Sequence, residues 1–503
     1  MTEQIEDTLK LKVTDFGPIV DAEIDLRPLT VFIGPSNTGK SYLAILIYAL
    51  HQVFNRTARS LRRGYFPIEH SAFLNLSTSQ IEGLLEVAQS IVSTPEADDL
   101  NNLALPAPVV EVIRLSLDGM ADSLSNEIAR CFGVGELHKF IRHGRTKKSQ
   151  IAIKRESHDR NNPLQNTLSL ARHSEFISTL SAENTIPLKP GGLVRYSRKE
   201  LISSIQYMDR AKLDADDRKF LAMQLASSIY EMILPSLFGP LLSPAYYLPA
   251  DRTGVMHAHS VVVSALIASA PAGGIRPAEA MPTLSGVLAD FLNELIEIDR
   301  PKRGMRKKSN KNDIIAGKIE ELILEGSVSI TRSPHVNYPR FSYRPHGWRN
   351  DLALANASSM VSELAPVVLY LRHMIKPGDV LIVEEPESHL HPAMQVKFTR
   401  QLAALVQAGV RVIVTTHSEW LLEELANIVH RSRIPRAKRN GEIALREDDV
   451  GAWLFKLQRS PKGSVVGKVC LDESGLYSSG YNEVSETLHN DWADIASQIE
   501  NAS

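Results

Sequence analysis

Apolar and polar residues alternate over Leu9–Phe16 and Ala22–Leu26, and a further short apolar run occupies Thr30–Ile33. Period-two alternation predicts strands, and the Gly17-Pro18 pair predicts the turn between the first two. The third strand runs straight into a glycine-bearing loop. After Gly39 the run Lys-Ser-Tyr-Leu-Ala-Ile-Leu-Ile-Tyr-Ala-Leu is apolar on nearly all sides, which predicts a helix buried on more than one face. Strand, loop and buried helix are the opening of an α/β core.

From about Phe54 to Ser243 the spacing becomes helical with polar breaks, including Ile81–Val92, Val109–Leu117 and Phe220–Leu237. No long heptad array is present, so no long coiled-coil arm is expected. The polar, basic stretch Arg142–Arg160 reads as a loop or an extended hairpin. Strand character returns over Ala245–Gly254, followed by helix through Asp299. Beyond Leu352 the order is helix (Ser362–Met374), strand (Val380–Val383), helix (His391–Ala408), strand (Arg411–Thr416) and helix (Glu419–Val429). That alternation is a βαβ crossover and predicts a parallel sheet. Trp453–Gln458 and Ser464–Leu471, separated by a turn at Pro461 and Gly463, predict a C-terminal hairpin.

The chain has 503 residues, room for about three domain equivalents at roughly 150 residues each. With 43% hydrophobic and 23% charged residues it is ordinary globular material, which excludes disorder and a disulfide scaffold as whole-chain readings. The 56 Lys and Arg nearly balance the 58 Asp and Glu, so nucleic-acid binding is not indicated by global charge. The main charge run, Arg300–Lys311, holds seven basic residues without interleaved aromatics. It is either a phosphate-gripping patch or a solvated loop. Cys131 and Cys470 lie far apart and lack metal-site spacing. The start is acidic, and the apolar run near Val261–Ala270 is far below the roughly 20 residues of a spanning helix, so no leader, no membrane partner and a cytoplasmic location are expected.

Three strand ends carry the candidate chemistry. Gly34, Pro35, Ser36, Asn37, Thr38, Gly39, Lys40 and Ser41, with Tyr42 following, match GxxxxGK[ST]. In such a loop backbone amides point at phosphates, Lys40 reaches the β and γ phosphates, and the Ser41 hydroxyl ligates magnesium. The bland alternative is a glycine turn before a helix. The second strand end is Val380-Leu-Ile-Val-Glu384-Glu385-Pro-Glu-Ser-His-Leu-His-Pro392, where Glu384 is assigned to the metal and Glu385 to the attacking water. The third is Thr415-Thr416-His417-Ser418, whose His417 is placed to sense a γ-phosphate. His389 and His391 form an HxH without an evident third ligand.

The strand pair ending in Phe16-Gly-Pro-Ile, the GPSNTGKS loop, the EEPESHLHP strand end and the TTHS strand end together resemble the ABC-type ATPase heads of the SMC, RecF and OLD families. Within these the chain is most similar to standalone bacterial ATPases related to OLD proteins. The resemblance covers roughly residues 9–50 and 245–475. It implies an ABC-type P-loop ATPase head, a mixed sheet with flanking helices interrupted by a mainly helical insertion. The head parts would be 1–54, 244–299 and 313–475, the insertion 55–243, the basic loop 300–312 and a helical tail 476–503. The resemblance further implies ATP and Mg2+ as cofactors, and a signature motif that caps the nucleotide of a second copy. Ser358 and Ser359 in Ala357–Leu364 are the candidates, although Met360 stands where a glycine is expected; an ordinary serine-rich helix cap is the alternative. Arg252, after the Leu248-Pro-Ala-Asp run, resembles a strand-end arginine near the nucleotide, there to neutralise phosphate or to join a carboxylate. The glutamine that the resemblance implies is not assigned to a position; Gln206 is a candidate.

The function implied is a Mg-dependent ATP-hydrolysing switch whose heads associate with ATP as a homo-oligomer, at least a dimer. No Toprim-like carboxylate set follows His417, and Glu447-Asp448-Asp449 reads as an isolated acidic turn, so no nuclease is expected in this chain and an effector protein would act in trans. Similar proteins serve in prokaryotic anti-phage systems, the ATPase subunits of PARIS-type and next of Septu-type defence. The rivals are an SMC- or RecF-like DNA-binding ATPase and a slow-hydrolysing oligomeric scaffold.

Overall fold

A computed structural model describes residues 8–62, 76–93, 101–104, 123–135, 148–156, 164–172, 178–183, 193–196, 214–257, 284–298, 311–332, 339–435, 442–469, 471–472, 475–476, 487–495 and 498. The chain opens with β1 (Thr8–Phe16), β2 (Ile19–Leu26) and β3 (Leu29–Ile33), and α1 (Lys40–Arg62) follows the glycine loop. It divides into two units, Met1–Asp25 with Ile45–Ala245, and Leu26–Ala44 with Tyr246–Ser503.

In the first unit α2 (Thr78–Ser93), β4 (Asn101–Ala104), α3 (123–132), β5 (Lys148–Glu156), β6 (Leu164–Arg172), β7 (Ser178–Glu183), β8 (Leu193–Tyr196) and α4 (Ala215–Phe238) follow in chain order. The strands run β7-β6-β5-β1-β2. The helices expected at Ile81–Val92 and Phe220–Leu237 fall within α2 and α4. The middle of this segment departs from the mainly helical expectation. β5 and β6 pair antiparallel with Ile151 opposite Leu168, and β5 pairs β1 with Val13 opposite Ile151. Alternation in Ser-Gln-Ile-Ala-Ile-Lys is masked by its basic flanks, but a strand in register with β1 buries Ile151 and Ile153 completely. Only β5 lies within the Arg142–Arg160 stretch expected as a loop or an extended hairpin; its antiparallel partner β6 begins beyond it, at Leu164. The segments Val109–Leu117, Gln206 and most of the basic run lie outside the described residues.

The second unit holds β9 (Ala245–Leu248), a short helix at 252–257, α5 (Gly286–Glu297), α6 (Lys311–Ile319), β10 (Gly326–Arg332), β11 (Pro339–Pro345), β12 (Leu352–Ala353), α7 (Ser359–His373), β13 (Val380–Glu384), α8 (Pro392–Gln407), β14 (Arg411–Thr416), α9 (Glu419–His430), β15 (Val450–Arg459) and β16 (Lys462–Val469). Its main strands run β16-β15-β3-β14-β13-β9. β15, β3, β14 and β13 are mutually parallel, and β16 returns antiparallel on β15. This is the expected α/β fold, a mixed sheet with flanking helices. The strand expected over Ala245–Gly254 stops at Leu248, because Pro249 has no N–H to continue a ladder.

β3 and β13 are buried at every position, as strands covered by helices on both faces must be. Val31, Leu381, Val383, Val412 and Val414 pack with Leu364, Val368, Phe398, Leu402 and Leu425 in one core. Each such side chain contributes about 1.5–3 kcal/mol by leaving water. That core fixes the sheet on which the candidate site stands. Among the described residues no helix is long and apolar enough to cross a membrane.

Candidate nucleotide site

Register brings the three predicted motifs together. Ile33 at the end of β3 lies opposite Thr416 of β14, and Glu384 at the end of β13 lies opposite Thr415. The glycine loop, the paired carboxylates and His417 therefore leave the carboxyl ends of three adjacent parallel strands, the edge at which ligands bind in open α/β sheets.

The loop's shape comes from its glycines. Gly34 has φ +139°, and a Cβ there would stand 2.5 Å from the Phe455 carbonyl oxygen of β15. Gly39 has φ +98° and Asn37, a residue that tolerates the left-handed region, has φ +60°. The Thr38 hydroxyl donates to the Pro35 carbonyl at 2.8 Å, which closes the loop, while Pro35, Ser36 and Asn37 stay exposed. Lys40 is 5% exposed and its Nζ donates to the carbonyls of Gly34 and Pro35, each at 2.8 Å. Burial pulls its ammonium down to about 8 against the opposing fields of Glu385, Glu387 and Glu384. Ser41 is exposed and Tyr42 half-buried in the first turn of α1.

Three carboxylates stand at the end of β13 in different environments. Burial raises Glu384, with the Ser41 hydroxyl, the Ala250 amide and the Tyr247 hydroxyl pulling the other way. Its Oε2 accepts the Ala250 N–H at 3.2 Å, whereas the buried Oε1 has no hydrogen-bond partner. A buried acceptor without a donor, beside a serine hydroxyl, is a donor set of the hard oxygen type that magnesium takes. Glu385 goes the other way. The neighbouring His417 imidazole is the largest cause holding the carboxyl below the usual range against burial, aided by the charges of Lys40 and Arg252. His417 Nε2 lies 3.6 Å from Glu385 Oε1. Glu385 also sits at φ +42°, with its N–H donating to the Thr415 carbonyl at 2.8 Å.

Glu387 was not assigned a role from the sequence, yet it fixes the histidine. Its Oε1 accepts the Thr416 hydroxyl at 2.8 Å and also the backbone N–H of His417, while its Oε2 is buried without a partner. Burial raises this carboxyl. The available signal was its spacing, two residues after Glu385 across Pro386. The Ser418 hydroxyl then caps α9 by accepting the Leu421 N–H at 3.0 Å.

Arg252, expected among the nucleotide-contacting residues, is instead wholly buried with its donors turned to protein. Nη1 donates to the carbonyls of Glu384 at 2.6 Å and Pro249 at 2.8 Å, and Nε to the Glu363 carbonyl at 3.2 Å. Nη2 meets the Glu385 carbonyl at 3.4 Å and pairs with the Glu363 carboxylate. Four hydrogen bonds and one ion pair thus hold the guanidinium to protein groups, and its burial keeps it out of the exposed loop where phosphates would lie. The carboxylate arm of the expectation describes its surroundings.

Ser358 and Ser359 are exposed at the start of α7, and the Ser358 hydroxyl caps that helix by accepting the Val361 N–H at 3.4 Å. His391 is the N-cap of α8, its Nδ1 accepting the Ala393 N–H at 3.3 Å.

Residues 279–422 match the family of the AAA ATPase domain, AAA_15. The matched stretch holds Ser358, Ser359, Glu384, Glu385 and His417 but neither the glycine loop nor Arg252. No curated protein matches the chain. Among solved structures it is similar to the SMC head domain from Thermotoga maritima, at 12% identity and TM-score 0.36 over 92% of this chain and 100% of that one. An Smc head bound to the C-terminal winged-helix domain of ScpA gives 11% and 0.38 over 93% and 99%. The Pyrococcus furiosus Smc head with an extended coiled coil, bound to the ScpA C-terminal domain, gives 11% and 0.39 over 96% and 100%. The fold stands on the strand order and register described above.

Proposed function

We propose that this chain is a Mg-dependent ATPase switch whose ABC-like heads associate on ATP and separate on hydrolysis. The observation that carries this reading is the register of β13, β14 and β3, which gathers Glu384, Glu385, His417 and the glycine loop on one sheet edge. The loop amides and Lys40 hold the phosphates, and Ser41 and the free oxygen of Glu384 hold the metal. When bound, magnesium neutralises charge on the β and γ phosphates. Glu385, kept anionic by His417, orients the attacking water and takes its proton. His417, with its backbone fixed by Glu387, meets the γ-phosphate.

The capped, exposed start of α7 supports a role for Ser358 and Ser359 at the nucleotide of a second copy, in a homodimer or larger oligomer. The resemblance of the motif set to standalone OLD-related ATPases supports the biological setting: a cytoplasmic sensor of anti-phage defence that restrains or releases a separate effector in trans. Phosphate release from ATP by the purified chain tests the enzymatic part. It should require magnesium and disappear in Lys40→Ala; turnover unchanged in that variant would sink the assignment.

A further inference from the structure

The helix that begins at Ser358 and Ser359 and the strand that ends at Glu384 and Glu385 are joined by one buried guanidinium. Arg252 is 0% exposed and so is Glu363, which lies in the second turn of α7. Arg252 reaches Glu363 through both the carboxylate and the backbone carbonyl, and reaches β13 through the carbonyls of Glu384 and Glu385. The Thr253 hydroxyl donates to the other Glu363 oxygen. His257, on the same short helix as Arg252, lies 2.7 Å from the Ser362 hydroxyl, which donates to the Leu354 carbonyl at 3.2 Å.

Within α7, Pro366 has no N–H to offer the Ser362 carbonyl. The first turns of the helix are therefore tied less firmly to the remainder of α7 and more firmly to 252–257. A buried charge stripped of its partner is strongly unfavourable, so the α7 start follows the guanidinium rather than parting from it. At the other end, the 3.4 Å bond to the Glu385 carbonyl is the longest of Arg252's hydrogen bonds, and it falls on a residue in the left-handed region. One rigid planar group therefore touches both the Glu385 carbonyl and the start of α7.

We propose that Arg252 and Glu363 are positioning residues that couple the Glu384–Glu385 strand end to the N-terminus of α7, and so make presentation of Ser358 and Ser359 to a second copy depend on the state of the nucleotide site. This deepens the reading above and rests on its premise that α7 meets the nucleotide of a second copy.

The test compares ATP-driven association of the full chain, by sedimentation, with binding of a fluorescent ATP analogue at concentrations below association. Glu363→Gln keeps the side chain's size and an acceptor for Arg252 but removes the charge. It should bind the analogue within about threefold of the unmutated chain, while association weakens about tenfold or more. Turnover should show kcat lowered and KM unchanged. Arg252→Met/Glu363→Leu, which removes both charges and leaves neither unpaired, should give the same pattern if Glu363→Gln proves unstable. Association and kcat equal to those of the unmutated chain would overturn the coupling, as would nucleotide binding lost in step with association. An unmutated chain that does not associate with ATP would overturn the proposed function and the coupling with it.

Discussion

His417 Nε2 stands 3.6 Å from Glu385 Oε1, and this contact is the largest cause holding the Glu385 carboxyl below its ordinary range. The ionised carboxylate is the form that orients water. It persists as pH falls until the lowered value is reached and is lost below it. Replacing His417 by Gln removes the principal lowering interaction, so the acid limb of the kcat profile should move to higher pH as well as kcat falling. Profiles of both proteins over pH 4–8 check this; an unmoved limb would show that another group sets it.

Lys40 gives a prediction of opposite sense. Its ammonium sits at about 8 because it is desolvated, and a polyphosphate beside it raises that value. Below about 8 Lys40 is charged with or without ATP, and above it binding must take up a proton. ATP affinity should therefore fall as pH rises past 8, by up to about tenfold per pH unit. Calorimetry at pH 8.5 in buffers of different ionisation enthalpy should detect the proton uptake, which Lys40→Ala should abolish.

Gly34 tests the loop as architecture. Alanine there meets the Phe455 carbonyl at 2.5 Å with φ +139°. Either β15 moves or the loop reshapes, and Gly34→Ala should lose about 2–4 kcal/mol of stability or its nucleotide affinity. Chemical denaturation together with analogue binding separates the two; a variant normal in both would contradict the strained, close-packed loop.

Much of the second unit was legible in the sequence because its strands are continuous apolar runs and its chemistry sits in short motifs. Val380–Val383, Arg411–Thr416 and the GPSNTGKS loop announce themselves by composition alone. The strands between 101 and 196 did not, because Lys148–Glu156 shows its pattern only against β1. β10, β11 and β12 were also missed: β11 begins and ends on a proline, and β12 has only two residues. Arg252 was read as facing either phosphate or a carboxylate, and Glu387 had no role. A guanidinium can face phosphate or protein with the same sequence around it, and only the fold brings Glu363 from 111 positions away. Likewise Glu387 becomes the anchor of His417 only once β13 and β14 lie side by side.

Glu384 carries the metal expectation. Its Oε1 is buried without a hydrogen-bond partner, an oxygen that a hard cation can take. Glu384→Gln should raise the magnesium concentration needed for half-maximal turnover by about tenfold or more, with ATP binding retained. An unchanged magnesium requirement would place the metal elsewhere.

The most direct measurement is single-turnover hydrolysis by Glu385→Gln, followed together with its oligomeric state in Mg-ATP. Nucleotide should bind as in the unmutated chain, hydrolysis should slow by about 10²–10⁴-fold, and the ATP-bound association should persist instead of decaying. Turnover at the unmutated rate, or no ATP-dependent association in either protein, would contradict the proposed function.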